Sequence, residues 1–212
     1  MQLEAITWQR MAERLAGHLD DTPDRGSWQR VGIDGAPAAD TGVLAGHLTE
    51  ALRLRSRPAV VVPAEGFLRP ASLRFEFGRE DVDSYLGGWY DTAALWREVF
   101  GPTDPGGSGR VLPDLWDPVT DRATRSPYVE LPPGGVLIVH GPLLLGHWFP
   151  FDLSVHIRLS AGALARRTEE SARWTLPAFA RYEAETEPGA VADAVVRADD
   201  PRHPAWSGLR ER

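Results

Sequence analysis

Apolar residues recur at near-helical spacing through Leu3, Ile6, Met11, Leu15 and Leu19, with Glu4, Arg10, Glu13 and Arg14 between them. This pattern predicts an amphipathic helix over 3–19 packed on the body of the protein. The turn-rich stretch from Asp20 to Gly26 ends it. Arg30-Val-Gly-Ile-Asp-Gly35 then predicts a short buried strand running into a glycine. Val43, Leu44, His47, Leu48, Ala51 and Leu52 share one face of a helix over 41–54, and Ala59 to Val62 is apolar on both faces, as a parallel strand requires. Strand, helix and strand in this order make a βαβ unit.

Further along, Tyr85, Trp89, Leu95, Trp96 and Phe100 predict one helix over 80–100, followed by a loop of Gly, Pro, Asp and Ser from Gly101 to Gly109. Gly135-Val-Leu-Ile-Val-His140 is the clearest central strand, and 153–159 reads as another. Helical patterns cover 161–173 and 176–185, and Ala194 to Arg197 fits a last short strand. The sum is an α/β fold with a central, mainly parallel sheet flanked by helices. No internal repeat and no long linker divides the chain, so 1–212 is expected to be one domain with an N-terminal helical extension over 1–25.

Composition narrows the chemistry. Hydrophobic residues make up 42% and charged residues 25%, the balance of a globular protein. No window reaches the roughly 18 unbroken apolar residues of a membrane span, and the N-terminus lacks a signal-peptide core, so a cytoplasmic protein is expected. Cysteine is absent, which removes disulfides and thiolate chemistry. The net charge of −7 repels phosphate backbones and argues against nucleic acid as a partner. All 23 basic residues are arginine, so no reaction needing a lysine ammonium can run on this chain's own side chains. His140, His147 and His156 lack the i, i+4 helical pairing of a common zinc site, and no transition-metal site is expected. No G-x-S-x-G supports a serine nucleophile.

A glycine-rich turn between strand and helix can bind phosphate, because backbone N–H groups and the helix N-terminus face the anion. Its usual form is G-x-x-x-x-G-K-[ST]. Here the turn reads Gly35-Ala36-Pro37-Ala38-Ala39-Asp40-Thr41-Gly42, with Asp40 in the second glycine position, Thr41 in the lysine position and Gly42 in the hydroxyl position. Pro37 removes one backbone donor. A carboxylate about 4 Å from a phosphate charge costs roughly 4 kcal/mol at an effective dielectric near 20, on the order of a thousandfold in affinity. Asp40 also suits an N-cap for the helix beginning at Thr41.

With these departures, the order of segments from about Arg30 to Pro204 resembles the uridine and nucleoside kinase family of P-loop kinases, particularly its actinobacterial versions. The resemblance implies a three-layer P-loop fold with a small helical lid over about 161–186. Pro63-Ala-Glu65-Gly-Phe67-Leu-Arg69-Pro70 resembles the family's segment after its second strand, which gives Glu65 the part of the base that accepts a hydroxyl proton and places Phe67 and Arg69 beside the substrate. A surface glutamate at a strand end is the plain alternative. Leu115-Trp116-Asp117-Pro-Val-Thr120-Asp121-Arg122 is similar to the segment that frames base and ribose, implying roles for Trp116, Asp117, Asp121 and Arg122, with Tyr85 alongside; Trp116 reads equally as a core aromatic. His140 stands where the family carries the acid that helps hold Mg²⁺, although imidazole suits Mg²⁺ poorly. Arg166, Arg167 and Arg173 resemble the arginines of the lid, or pair with Glu169 and Glu170 in solvent.

The resemblance thus implies ATP and Mg²⁺ as cofactors, while the residues of the turn oppose both. Three readings stay open. One is a nucleoside-kinase-like phosphotransferase with a divergent loop. Another is a non-catalytic relative that binds a nucleoside or nucleotide and regulates. A third is a transferase with a different donor, using Asp40 and His140 as acid–base groups. A small-molecule nucleoside is the expected partner in the first two, and a homodimer is one assembly open to the chain.

Overall fold

The computed structural model describes residues 3–22 and 28–209. The chain opens with β1 (Glu4–Ala5) and α1 (Trp8–Asp21), followed by β2 (Gln29–Asp34), α2 (Thr41–Leu54) and β3 (Ala59–Pro63). Next come α3 (Ala71–Arg74), α4 (Val82–Gly88) and α5 (Thr92–Leu95), then β4 (Arg110–Val111), β5 (Trp116–Asp117), β6 (Arg122–Ala123) and β7 (Val129–Glu130). The C-terminal half holds β8 (Val136–Gly141), β9 (Leu153–Arg158), α6 (Ala161–Arg167), α7 (Leu176–Glu185), α8 (Pro188–Val191), β10 (Ala194–Arg197) and β11 (Ala205–Trp206).

Seven strands form one sheet in the order β1-β11-β10-β9-β2-β8-β3. The five from β10 to β3 run parallel, while β11 and β1 add an antiparallel edge. Side chains alternate across a strand, so the near-continuous apolar runs feed two cores at once. Val31, Ile33, Val136, Ile138 and Val155 pack with Met11, Leu15, Leu44 and Leu48 from α1 and α2. The intervening Leu137 and Val139 pack instead with Val62, Leu95, Val99 and Phe100. Helical cover on both faces is what a buried parallel sheet requires. No helix among the described residues is long and apolar enough to cross a membrane.

Three sequence expectations change. The helix over 3–19 starts later: Glu4–Ala5 pairs with Ala205–Trp206 as a strand, and Thr7 caps α1 by accepting from the Arg10 N–H at 3.1 Å. Most of the predicted turn from Asp20 to Gly26 lies outside the described residues. The helix over 80–100 is two pieces. The Gly87–Gly88 pair closes α4, Tyr90 bridges to Leu68, and Asp91 caps α5 through the Ala94 N–H; α5 then runs into a π-helical turn, Trp96–Phe100. Two successive glycines carry no helix propensity to resist such a break. Finally, the helix over 161–173 stops at Arg167, and a 3₁₀ turn, Glu170–Thr175, leads into α7.

Candidate functional site

Strand order reverses at β2, with β8 and β3 on one side and β9 and β10 on the other. Open α/β sheets place ligands beyond the carboxyl ends of such strands. The chain leaves β2 through Asp34 and Gly35. The Gly35 N–H donates to the Gly141 carbonyl at 3.1 Å, and a Cβ there would lie 2.9 Å from the Ile157 carbonyl oxygen, so only glycine passes between β8 and β9.

Pro37–Ala39 then forms a 3₁₀ turn, and Asp40 takes the left-handed conformation at φ 54°. Glycine enters that region freely, whereas among other residues aspartate is one of the few that tolerate it. The backbone thus keeps a glycine-type turn although the side chain is acidic. Asp40 stands at the N-cap position of α2 as expected, but it is exposed and its carboxylate makes no capping hydrogen bond. The N–H groups of Ala39 and Asp40 donate within the turn, to the carbonyls of Ala36 and Pro37 at 2.7 and 3.1 Å. With Pro37 lacking an N–H, these donors do not face outward as an anion cradle needs.

Thr41 and His140 meet: the threonine Oγ1 lies 3.0 Å from His140 Nδ1. Burial lowers the His140 pKa, against the opposing pull of Asp40's charge, so the imidazole is neutral at pH 7. Thr41 and His140 are therefore an uncharged pair bonded to each other. Gly42 offers no hydroxyl, and no group of three or more His, Asp or Glu side chains able to hold a metal occurs among the described residues. These residues do not fit a magnesium-bound triphosphate.

Glu65 lies in a 3₁₀ turn, Ala64–Phe67, at the end of β3. It is half-buried and abuts β8: a Cβ on Gly141 would stand 3.4 Å from its Oε2. Burial raises its pKa. The neighbouring phenols of Tyr85 and Tyr90 are pushed up too, first by burial and also by charge, including that of Glu65. Tyr85 makes edge contacts with Trp89, Trp174 and Phe179, which joins α4 to the turn before α7 and to α7 itself. Arg74, unremarked in the sequence, is buried against Phe75 and Trp89 and donates to the Arg69 carbonyl at 2.7 Å.

The other expected residues are more scattered. Phe67 is fully buried in the second core. Trp116 to Arg122 form a hairpin of β5 and β6. Within it the Trp116 indole N–H donates to Asp121 at 3.0 Å, and Asp117 accepts from the Val119 N–H and the Thr120 hydroxyl at 2.9 and 2.6 Å. Asp121 also accepts the Ala71 N–H, which fastens the hairpin to α3. Both aspartates lie below their ordinary pKa because of these bonds. Arg122 is exposed. Arg166 and Arg167 end α6, where Arg167 donates to the Ala198 carbonyl at 2.9 Å, and Arg173 pairs in solvent with Glu170 at 2.9 Å.

On the β9 side the structure assembles a cluster that sequence reading missed. Asp34 has no exposed surface. Its Oδ1 accepts from the Leu144 N–H at 2.8 Å and the Tyr182 hydroxyl at 3.1 Å, and its Oδ2 lies 2.7 Å from His156 Nδ1. His156 Nε2 reaches Glu183 at 2.9 Å, and the second oxygen of Glu183 meets Arg158 at 3.3 Å. Burial alone would depress the His156 pKa. The bonds and charges of Asp34 and Glu183 outweigh it and raise the value to about 9, so the ring is an imidazolium at neutral pH. Glu183 is held below its ordinary range, mainly by its bond to His156. The only signal in the sequence was an acid ending a buried strand.

No family model matches the chain, and no curated protein matches its sequence. Among solved structures it superposes on a possible uridine kinase from Bacillus stearothermophilus with a TM-score of 0.71 and 20% identity, covering 87% of this chain and 96% of that one. A protein described as a fructose transport system kinase, from Silicibacter sp. TM1040, gives a TM-score of 0.62 and 22% identity over 85% of this chain and 95% of that one. At these identities the likeness shows the fold: a P-loop kinase fold with a mainly parallel central sheet flanked by helices.

Proposed function

We propose that this chain is a binding protein on a kinase-type fold, one that holds a nucleoside-like molecule near Glu65 and does not take phosphate from magnesium-bound ATP at its turn. The observation that carries this reading is the Thr41–His140 hydrogen bond at 3.0 Å, which joins two uncharged groups where charge would be needed. The inward-turned amides and the free carboxylate of Asp40 act in the same direction. A nucleoside is the ligand class because one structural neighbour is a possible uridine kinase and because Glu65, half-buried beside β8, is suited to accept a hydroxyl hydrogen bond.

A second reading has its own support. The raised pKa of Glu65 suits a general base for transfer to a nucleoside-like hydroxyl, with Arg166, Arg167 and Arg173 supplying the missing charge. Calorimetric titration with uridine or cytidine, and separately with Mg-ATP followed by a turnover assay, separates them. The binding reading expects nucleoside heat that weakens about tenfold in Glu65→Gln, the size of the charge assistance lost when a neutral amide oxygen replaces the carboxylate as acceptor, and no phosphorylated product. Product formation would establish the second reading instead.

A further inference from the structure

A cavity of about 760 Å³ opens on the side of β2 away from Glu65, between α6, α7 and the carboxyl ends of β9 and β10. Its size is that of a small-molecule site. Leu159, Leu164, Leu176 and Phe179 supply apolar lining, and His156 and Arg158 line the cavity as well. Glu183, which lines the same cavity, pairs with both His156 and Arg158, and Arg197 and Asp199 also line it. The other partner of His156, Asp34, is buried behind the ring and holds Nδ1, so Nε2 is the nitrogen that addresses the cavity side. Glu183 belongs to α7 and is half-exposed, unlike Asp34.

From this arrangement we infer that the cavity is a binding site for a monocarboxylate with an apolar body, and that Glu183 is its internal stand-in. The ligand's carboxylate takes the His156 and Arg158 donors and Glu183 swings out to water, exchanging one anion for another. Its hydrocarbon part covers the leucines and Phe179. The exchange leaves the charge of the buried cluster unchanged, so it needs no proton from solvent. The groups that set the charge at His156 are Asp34 from β2, Glu183 and the Tyr182 hydroxyl from α7, and Arg158 on its own strand. This site borders the turn after β2 only through Ala36 and lies across β2 from Glu65, so it does not rest on the nucleoside reading.

Octanoate and octanamide, matched in shape and differing in charge, test it by calorimetry on the full chain. Octanoate is expected to bind at least about tenfold tighter than the amide, as a charge-assisted contact warrants. Glu183→Gln, which weakens the internal competitor, should tighten octanoate about tenfold further while leaving octanamide within about twofold. His156→Gln should cut the preference for acid over amide at least about threefold, with Arg158 still in place, and raising the pH through about 9 should do the same in the native chain. Equal binding of acid and amide, a Glu183→Gln change that favours both alike, or no binding of either by native and Glu183→Gln protein overturns the proposal.

Discussion

The two flanks of β2 solve opposite electrostatic problems with the same materials. Toward β8, a buried Thr41 and a partly buried His140 form an uncharged pair, and the exposed Asp40 carboxylate lies nearby. Toward β9, an imidazolium almost closed to water sits between a fully buried carboxylate and a half-exposed one. A histidine occurs on each flank, and its partners decide its state. Burial wins at His140, whose partner is a neutral hydroxyl, and loses at His156, where two anions oppose it. The two histidines differ in charge because of what each one touches, not because of how deeply each is placed.

Removing the imidazolium should break the contrast most severely. His156→Ala leaves Asp34 buried with only the Tyr182 and Leu144 donors, and loss of one partner of a buried pair costs about 3–5 kcal/mol; urea unfolding reads this as a lowered midpoint. Titrating it should act next. A folded-state pKa of about 9 lies above the ordinary 6.5 for histidine. The linked stability is therefore fully present below pH 6.5 and is lost as pH rises through about 9. The shift corresponds to on the order of 3 kcal/mol at 1.36 kcal/mol per unit. Unfolding curves from pH 6 to 10 should show this decline in the native chain and not in His156→Gln.

Gly35 stands between the flanks, and Gly35→Ala should cost about 1–3 kcal/mol, the usual penalty for overpacking, because its Cβ would meet the Ile157 carbonyl. The smallest effect is expected at the exposed turn. Asp40→Gly relieves the left-handed backbone and should raise stability by up to about 1 kcal/mol, visible as a small rise in the thermal midpoint. A fall would mean that the Asp40 carboxylate holds the turn through contacts of its own.

Much of the fold was legible because it rests on period. The boundaries of α2 and β10 follow directly from apolar spacing, and the unbroken apolar run of β3 announced a sheet buried on both faces. The break between α4 and α5 was not legible from apolar spacing, since Tyr85, Trp89 and Trp96 keep helical intervals across it while Gly87, Gly88 and the Asp91 cap decide the geometry. At the site, the turn announced itself by being contiguous. The Thr41–His140 contact spans 99 residues, and the Asp34–His156 contact 122. Nothing in the spacing of those residues links them, because the strand order that brings them together is a property of the sheet and not of any one segment.

The central claim is that the turn refuses a triphosphate, and Mg-ATP calorimetry on the native chain beside Asp40→Gly/Thr41→Lys/Gly42→Thr tests it. The account predicts no heat of binding for the native chain at millimolar nucleotide and an affinity gain of at least about a hundredfold in the variant, from removing one repulsive charge and adding an attractive one. Micromolar binding by the native chain, undiminished when the turn is altered, would contradict it.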